Sequence, residues 1–269
     1  MIRFWEDRGV SAEVEGRLSA GQRRALIERL VTEQGAVQVE ELAASLAVTP
    51  STIRRDLQLL TDQGKLARTY GGAMPASSAE PSLGQRTALA SAEKDRIAAW
   101  AAEQVSIGDT LILDAGTTTG KLAHRLRDRS GLTVITNSVM ALTELVDADP
   151  VQVVSLAGEL RHISQGFVGP LAELTLSRVT ADKAFLGADG LDSRHGICEA
   201  SLLQTRLKEQ MIAQSREVFI LADSSKLGAK PFNAWAPLPA TWTLVTDTNA
   251  DETDLAPFRC LTGVTIITV

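Results

Sequence analysis

The stretch from Val48 to Ala73 restricts the possible folds of this chain more than any other. Thr49 is a good helix N-cap, and Pro50 suits the first helical position, where its missing N–H has no partner to lose. Ile53, Leu57 and Leu60 then recur at helical spacing and form one apolar stripe. Ser51, Arg54, Arg55 and Gln58 fall on the opposite face. Gly64 is placed to end the helix. Lys65 to Tyr70 alternates like a short strand, and Gly71 and Gly72 turn it.

An arginine pair on a helix is by default a solvated face. The upstream sequence argues otherwise. Val39 to Ala47 reads as a short amphipathic helix with Leu42, Ala43 and Leu46 inward, joined to the next helix by a tight Val48-Thr49-Pro50 connection. Before it, Ser19 caps a helix running to about Gln34, with Leu26, Ile27, Leu30 and Val31 as its stripe. Three short helices followed by a hairpin make a winged helix-turn-helix. Its exposed face carries hydroxyl, guanidinium and amide groups, which grip phosphates and read base edges in the major groove of double-stranded DNA. In the wing, Arg68 and Tyr70 are placed to contact the DNA backbone.

The net charge of −6 sits awkwardly with such a partner. Residues 1–75 hold ten Lys/Arg and ten Asp/Glu, so the first part is neutral and the acidity lies in the remainder. Within 49–70, four basic residues (Arg54, Arg55, Lys65, Arg68) stand against two acidic ones. This weak basic patch predicts modest non-specific affinity, with specificity coming from a dimer that reads two half-sites. The acidic remainder keeps DNA contacts confined to the head.

Met74 to Ala92 is rich in Pro, Ser and Ala without apolar period, and reads as a linker that becomes helical near Ser91. The expected division is 17–75 for the DNA-binding domain, 76–92 for the linker and 93–269 for a second domain. Past the linker, apolar strands at 110–114, 132–136, 151–156, 183–187, 217–222 and 242–246 alternate with helices at 118–127, 139–146, 169–179 and 201–214. That alternation predicts an α/β domain with a mainly parallel sheet covered on both faces. Ligands bind such sheets beyond the carboxyl ends of the strands.

The loops at those ends are polar. Asp114-Ala-Gly-Thr-Thr-Thr-Gly120 opens a helix with a glycine and hydroxyls, and offers backbone N–H groups to an anion. Thr136 and Asn137 follow the second strand, Gly158, Glu159 and Arg161 the third, Gly187 to Gly190 with Asp189 the fourth, and Asp223 to Lys226 the fifth. Together they suit a small polyhydroxylated anion, its charge paired by Lys226 or Arg161. Taken singly, each loop has a plainer reading. Gly116 to Lys121 is no Walker A loop, because only three residues separate its glycines and Leu122 stands where Ser or Thr would hold magnesium. Asp189 reads as a turn former, and Glu199 and Lys208 as exposed helix charges. It is the convergence of loops that points to a ligand site.

The chain resembles the DeoR-type bacterial transcriptional regulators over nearly its whole length. In the head the matching blocks are ArgArgAlaLeuIleGluArgLeu (23–30), ValGluGluLeuAla (39–43), ThrIleArgArgAspLeu (52–57) and ArgThrTyrGlyGlyAla (68–73). Thr52 thereby joins the DNA-binding candidates. The family usually carries His where Tyr70 stands, a departure that bears on half-site preference. In the second domain the blocks are AspAlaGlyThrThrThr (114–119), IleThrAsnSer (135–138), AlaGlyGluLeuArg (157–161), GlyPheValGlyPro (166–170), AlaPheLeuGlyAlaAspGly (184–190) and LeuAlaAspSerSerLysLeuGly (221–228). These look like the family's sensor domain, similar in fold to sugar-phosphate isomerases and binding phosphorylated sugars as inducers. The resemblance implies contacts at Asp114, Gly116, Thr117, Thr118, Thr136, Asn137, Gly158 and Lys226. Asp189 joins them by its loop. Many members place Glu four residues before the lysine of the helix at 201–214, where this chain has Gln204. That departure weakens the case for residual acid–base chemistry.

The expected function is therefore a sequence-specific repressor of a carbohydrate-catabolic operon, released by a phosphorylated sugar or sugar acid. The competing reading is an isomerase-like enzyme carrying a DNA-binding head, which would need a carboxylate base and a partner acid beside the substrate. Asp114, Asp189 and Glu199 are available for that, but in no diagnostic arrangement. No catalytic residue, cofactor or metal is assigned. Two cysteines are too few for a disulfide framework, and the three histidines are scattered. The apolar runs fall short of a membrane span, and the opening residues lack the apolar core of a signal peptide, so the cytoplasm is the expected compartment. A homo-oligomer, dimer or tetramer, is expected.

Overall fold

The structure is a computed structural model, and it describes residues 18–34, 37–63, 65–69, 71–75 and 80–269. The chain divides into two compact units between Glu80 and Pro81.

The first unit holds α1 (Ala20–Gln34), β1 (Val37–Gln38), α2 (Val39–Ser45), α3 (Pro50–Asp62), β2 (Leu66–Thr69) and β3 (Gly72–Pro75). Ser19 and Gln22 cap α1 reciprocally, each side chain accepting from the other's backbone N–H at 3.2 and 3.1 Å. Thr49 caps α3, its hydroxyl accepting from the Thr52 N–H at 3.3 Å, with Pro50 at the first turn. Ile27, Leu30 and Val31 of α1 pack with Leu42 and Ala43 of α2 and with Ile53, Leu57 and Leu60 of α3 in one core. Asp56, on the inward side of α3, is buried and paired with Arg23 at 2.5 Å and Arg24 at 3.7 Å, so α1 fixes the rotation of α3 by charge as well as by packing.

The expected wing hairpin is β2 against β3, and β1 adds a third strand in the order β1-β3-β2, all antiparallel. β1 has only two residues, too few for a periodic signal. Its close approach requires Gly72, where a Cβ would sit 1.9 Å from the Val37 carbonyl oxygen. Gly64 and Tyr70 lie outside the described residues, as does the side chain of Arg68.

The second unit runs α4 (Leu83–Ala88), α5 (Ser91–Glu103), β4 (Thr110–Leu113), α6 (Thr117–Leu126), β5 (Leu132–Thr136), α7 (Val139–Leu145), β6 (Val151–Ser155), β7 (Glu159–Arg161), β8 (Gly166–Val168), α8 (Pro170–Leu176), β9 (Ala181–Leu186), β10 (Gly190–Asp192), β11 (Gly196–Glu199), α9 (Leu202–Ala213), β12 (Ser215–Leu221), β13 (Ala234–Ala236), β14 (Trp242–Thr246), α10 (Glu252–Arg259) and β15 (Val264–Thr268). Seven strands form a wholly parallel sheet in the order β15-β14-β12-β9-β4-β5-β6. Alternate residues feed opposite faces, as the pleat requires. Leu111, Leu113 and Phe185 pack with α5, α6 and α7, while Ile112, Ala184 and Leu186 pack with α8, α9 and α10.

The six expected strands and four expected helices are present, with ends shifted by a few residues. The supposed linker is not all irregular. Ser82 and Gln85 form a capping box that starts α4, and no residue of α4 is buried, so its sequence carries no apolar period. Also unforeseen are α10 with β15, the β7–β8 hairpin and a small antiparallel sheet β10-β11-β13.

From β4 the sheet proceeds through β5 and β6 to one side and through β9, β12, β14 and β15 to the other. The order therefore reverses between β4 and β9. A crevice opens at such a switch point because successive connections leave toward opposite faces.

Candidate nucleic-acid interface and sensor cleft

On α3, Ser51, Arg54, Arg55 and Gln58 are exposed and Thr52 is half-buried in the capping cluster, its hydroxyl 2.9 Å from that of Thr49. Arg54 is held by Glu40 of α2 at 3.2 Å, and Gln58 donates to Asp62 at 2.8 Å. Arg55 has no ion pair among the described residues, so its guanidinium faces solvent unengaged. This face can present one free and one weakly committed guanidinium, with hydroxyl and amide groups between them, to a DNA groove.

In the second unit a cleft lies at the carboxyl ends of β4 and β9. Gly116, Thr117, Thr118, Asp189 and Lys226 line it, joined by Arg86, Lys94, Glu199, Gln204 and Asp223. Gly116 caps α6 with extended backbone and no side-chain hydrogen bond, so the first N–H groups of that helix are unfilled by a capping group. Lys226 stands in a short 3-10 turn after β12, and its ammonium has no partner among the described residues.

Beneath the cleft, Asp114 is buried and accepts from the Gly187 N–H at 3.2 Å. It also accepts from Lys208, whose ammonium lies 3.0 Å from Glu199 and donates to the Gly187 carbonyl at 2.8 Å. All three ammonium hydrogens of Lys208 are thereby engaged. Burial pushes the Glu199 carboxyl up to about 8 against the pull of Lys208, with Asp189 and Asp114 adding to the push. Burial alone would lower the Lys208 ammonium, but Asp114 and Glu199 outweigh it and hold its pKa above the usual lysine range. One ammonium thus serves two carboxyl groups, Asp114 and Glu199.

Gln204, one turn before Lys208 on α9, is buried, and its Oε1 accepts no hydrogen bond among the described residues. A buried acceptor left unpaired costs about 1–3 kcal/mol. At the cleft rim, Arg86 donates to the Ile163 carbonyl at 2.8 Å and lies 3.7 Å from Asp189. Lys94 ties down the end of α4, donating to the carbonyls of Arg86 at 2.5 Å and Leu89 at 2.7 Å. Burial lowers its pKa, opposed by Asp223.

The remaining expected residues do not line the cleft. Thr136 is buried and bonds the Leu113 carbonyl at 2.6 Å, bracing β5 against β4. Asn137 donates to the Phe167 carbonyl at 3.2 Å, and Gly158 sits where a Cβ would meet the Val168 carbonyl oxygen at 2.4 Å. Arg161 lies in β7, away from the lining. Glu199 and Lys208, read from sequence as exposed helix charges, are both buried. The signal for Lys208 was its phase. It shares the inward face of α9 with Gln204, Leu207 and Met211, where a solvated lysine has no place. Lys94 carried the same signal, sharing the inward face of α5 with Ile97, Ala98 and Ala101, whereas Arg86 carried none, because α4 has no apolar face.

Comparison with known proteins accords with both units. Residues 23–79 match the DeoR-like helix-turn-helix domain, and residues 89–248 match the DeoR C-terminal sensor domain. The chain is 38% identical over 86% of its length to the uncharacterized HTH-type transcriptional regulator YulB of Bacillus subtilis, covering 90% of that protein. It is 37% identical over 77% of its length to the glycerol-3-phosphate regulon repressor of Escherichia coli, covering 82% of that protein. A putative aga operon transcriptional repressor of Escherichia coli O157:H7 is 36% identical, with 76% of this chain and 77% of that one covered. Among solved structures, ribose 5-phosphate isomerase A of Methanocaldococcus jannaschii aligns at 18% identity over 51% of this chain and 54% of that one, with a TM-score of 0.38, too low to bear on activity. Among the described residues no helix is long and apolar enough to cross a membrane. With a matching DNA-binding head, a matching sensor unit and relatives that align across both, the chain belongs to the DeoR family of DNA-binding transcriptional regulators.

Proposed function

We propose that this chain represses a carbohydrate-catabolic operon by binding a double-stranded DNA operator through α3 and the wing, and that a phosphorylated sugar or sugar acid in the sensor cleft releases it. The observation that carries the reading is the uncapped N-terminus of α6 opening on the same cleft as the unpaired ammonium of Lys226. Backbone N–H groups, the positive end of a helix and an ammonium together suit a phosphate. The relatives named as repressors of the glycerol-3-phosphate regulon and of the aga operon support the class of operon. In this reading Asp114, Gly116, Thr117, Thr118, Asp189 and Lys226 position or contact the effector, while Thr136, Asn137 and Gly158 hold the loops around it. The chain works as a homo-oligomer in the cytoplasm, with two heads on two half-sites, and its sensor unit binds without turning over.

A ligand releases DNA only if it binds the DNA-incompetent arrangement more tightly. Lys226→Ala is therefore expected to give a super-repressor that holds its operator and ignores the inducer. Asp114→Ala is a poorer variant, because Asp114 neutralises Lys208 and its loss strikes the core. The measurement is operator release under a panel of phosphorylated sugars, ranked first by the rise in melting temperature each gives. Release of Lys226→Ala at the same inducer concentration as the parent sinks the assignment.

One observation favours a second reading, an isomerase-like activity: the carboxyl of Glu199, held up to about 8 at the cleft, is poised for proton transfer. Deuterium uptake from heavy water into a sugar phosphate, followed by proton NMR, separates the two. Catalytic exchange would support the enzyme.

A further inference from the structure

We propose that Gln204 is the specificity-determining residue of the sensor cleft and reads a hydroxyl group on the phosphorylated effector. The inference rests on the effector-binding reading above and goes on to say how the cleft selects among anions.

Three of the polar groups around Gln204 have defined commitments. Lys208 spends its three hydrogens on Asp114, Glu199 and the Gly187 carbonyl. Lys94 is bound to two backbone carbonyls. Asp223 accepts from the Ser225 hydroxyl. Gln204 differs. It is 8% exposed, lines the cleft, and its carboxamide oxygen accepts no hydrogen bond among the described residues. A half-turn of the terminal amide exchanges its oxygen and nitrogen without changing its shape. The side chain can therefore accept from a ligand hydroxyl or donate to one.

A phosphate at α6 and Lys226 gives affinity but little selectivity, since every phosphomonoester carries the same group. Selectivity needs a group that is left unpaired when the wrong ligand binds. Gln204 on α9 faces the cleft from a different element than the α6 N-terminus and Lys226, so it addresses the body of the ligand rather than its anionic end. The leucine of Gln204→Leu has similar bulk and cannot form the hydrogen bond, which makes it the informative variant.

The experiment measures dissociation constants of the full chain by calorimetry for glycerol 3-phosphate, ribose 5-phosphate, propyl phosphate (the hydroxyl-free comparator) and inorganic phosphate. The parent is expected to prefer at least one polyol phosphate over propyl phosphate by about tenfold or more. In Gln204→Leu that ratio should fall to within about threefold of unity. A ratio is unaffected by a fraction of unfolded protein, and circular dichroism of the variant supplies a separate check of folding. If Gln204→Leu keeps the parent's ratio, or if the parent itself does not distinguish the polyol phosphates from propyl phosphate, the inference is overturned and the anion site stands. If no phosphate binds the parent, the effector-site reading falls and takes this inference with it.

Discussion

Lys208→Met tests the buried trio most directly. The parent lysine is 2% exposed and lies between Asp114, Glu199 at 3.0 Å and the Gly187 carbonyl at 2.8 Å. Methionine fills most of the volume and removes the charge. Glu199, whose carboxyl burial already holds up to about 8, loses the cation that lowers it and shifts toward the neutral form, so the loss falls mainly on Asp114. That carboxylate keeps only the Gly187 N–H at 3.2 Å. Removing one member of a buried ion pair costs about 3–5 kcal/mol. For a unit the size of residues 81–269, each kcal/mol moves the melting temperature by about 2–4 °C, so a drop of about 6–20 °C is expected at pH 8. Scanning calorimetry at pH 8 reads the drop. Adding Asp114→Asn and Glu199→Gln to the variant removes the uncompensated charge and should restore most of the loss. A shift under about 2 °C at pH 8, or no recovery in the triple variant, refutes the argument.

Glu199 predicts a pH slope. Its folded pKa of about 8 lies above the ordinary 4.5, so the folded chain binds the extra proton between those values. Its contribution to stability is complete below about 4.5, is lost as pH rises through about 8 and is flat beyond. Urea midpoints of Glu199→Gln should lack that decline, and a slope equal to the parent's would contradict the assignment. On the DNA face, Arg55→Ala should cost about 1–3 kcal/mol of operator affinity by fluorescence anisotropy, and Arg54→Ala less, because Arg54 must first leave Glu40. Equal losses, or none, would count against that docking face. Gly72→Ala drives a Cβ into the Val37 carbonyl and should destabilise the first unit by about 1–3 kcal/mol in chemical denaturation. A neutral result would mean β1 does not pack there.

The parallel sheet was legible because strands buried on both faces are written as unbroken apolar runs, as Leu111 to Leu113 and Val218 to Leu221 are. The three-residue strands β7, β8 and β10 are too short to carry a period. In the head, the stripe Ile53, Leu57, Leu60 and the Thr49-Pro50 start fixed α3 to within a residue or so, since the cap and the missing proline N–H mark its beginning physically. The cleft was half legible. The loop after β4 announces itself by glycine and hydroxyls at a helix start. Glu199 does not, because a charged side chain reads as solvated until its partner is known, and Lys208 signals only by its phase on α9. The partner of Lys208 stands 94 residues earlier, brought near only by the crossover from β4 to β9.

The pairing of Arg54 with Glu40 has a consequence for ion release. Each phosphate neutralised by a free cationic side chain sheds condensed counterions, which steepens the dependence of affinity on salt. When Arg54 turns to DNA, Glu40 is set free and gathers a cation of its own, which cancels part of that release. The salt slope of operator binding should then be shallower than the number of phosphate contacts implies. The same exchange confronts Arg54 at every non-specific site along a chromosome, where no base contact offsets it. An exposed pair contributes at most about 1 kcal/mol, or roughly fivefold in affinity. Spread over millions of competing sites, that factor shortens the time the regulator spends in the wrong place.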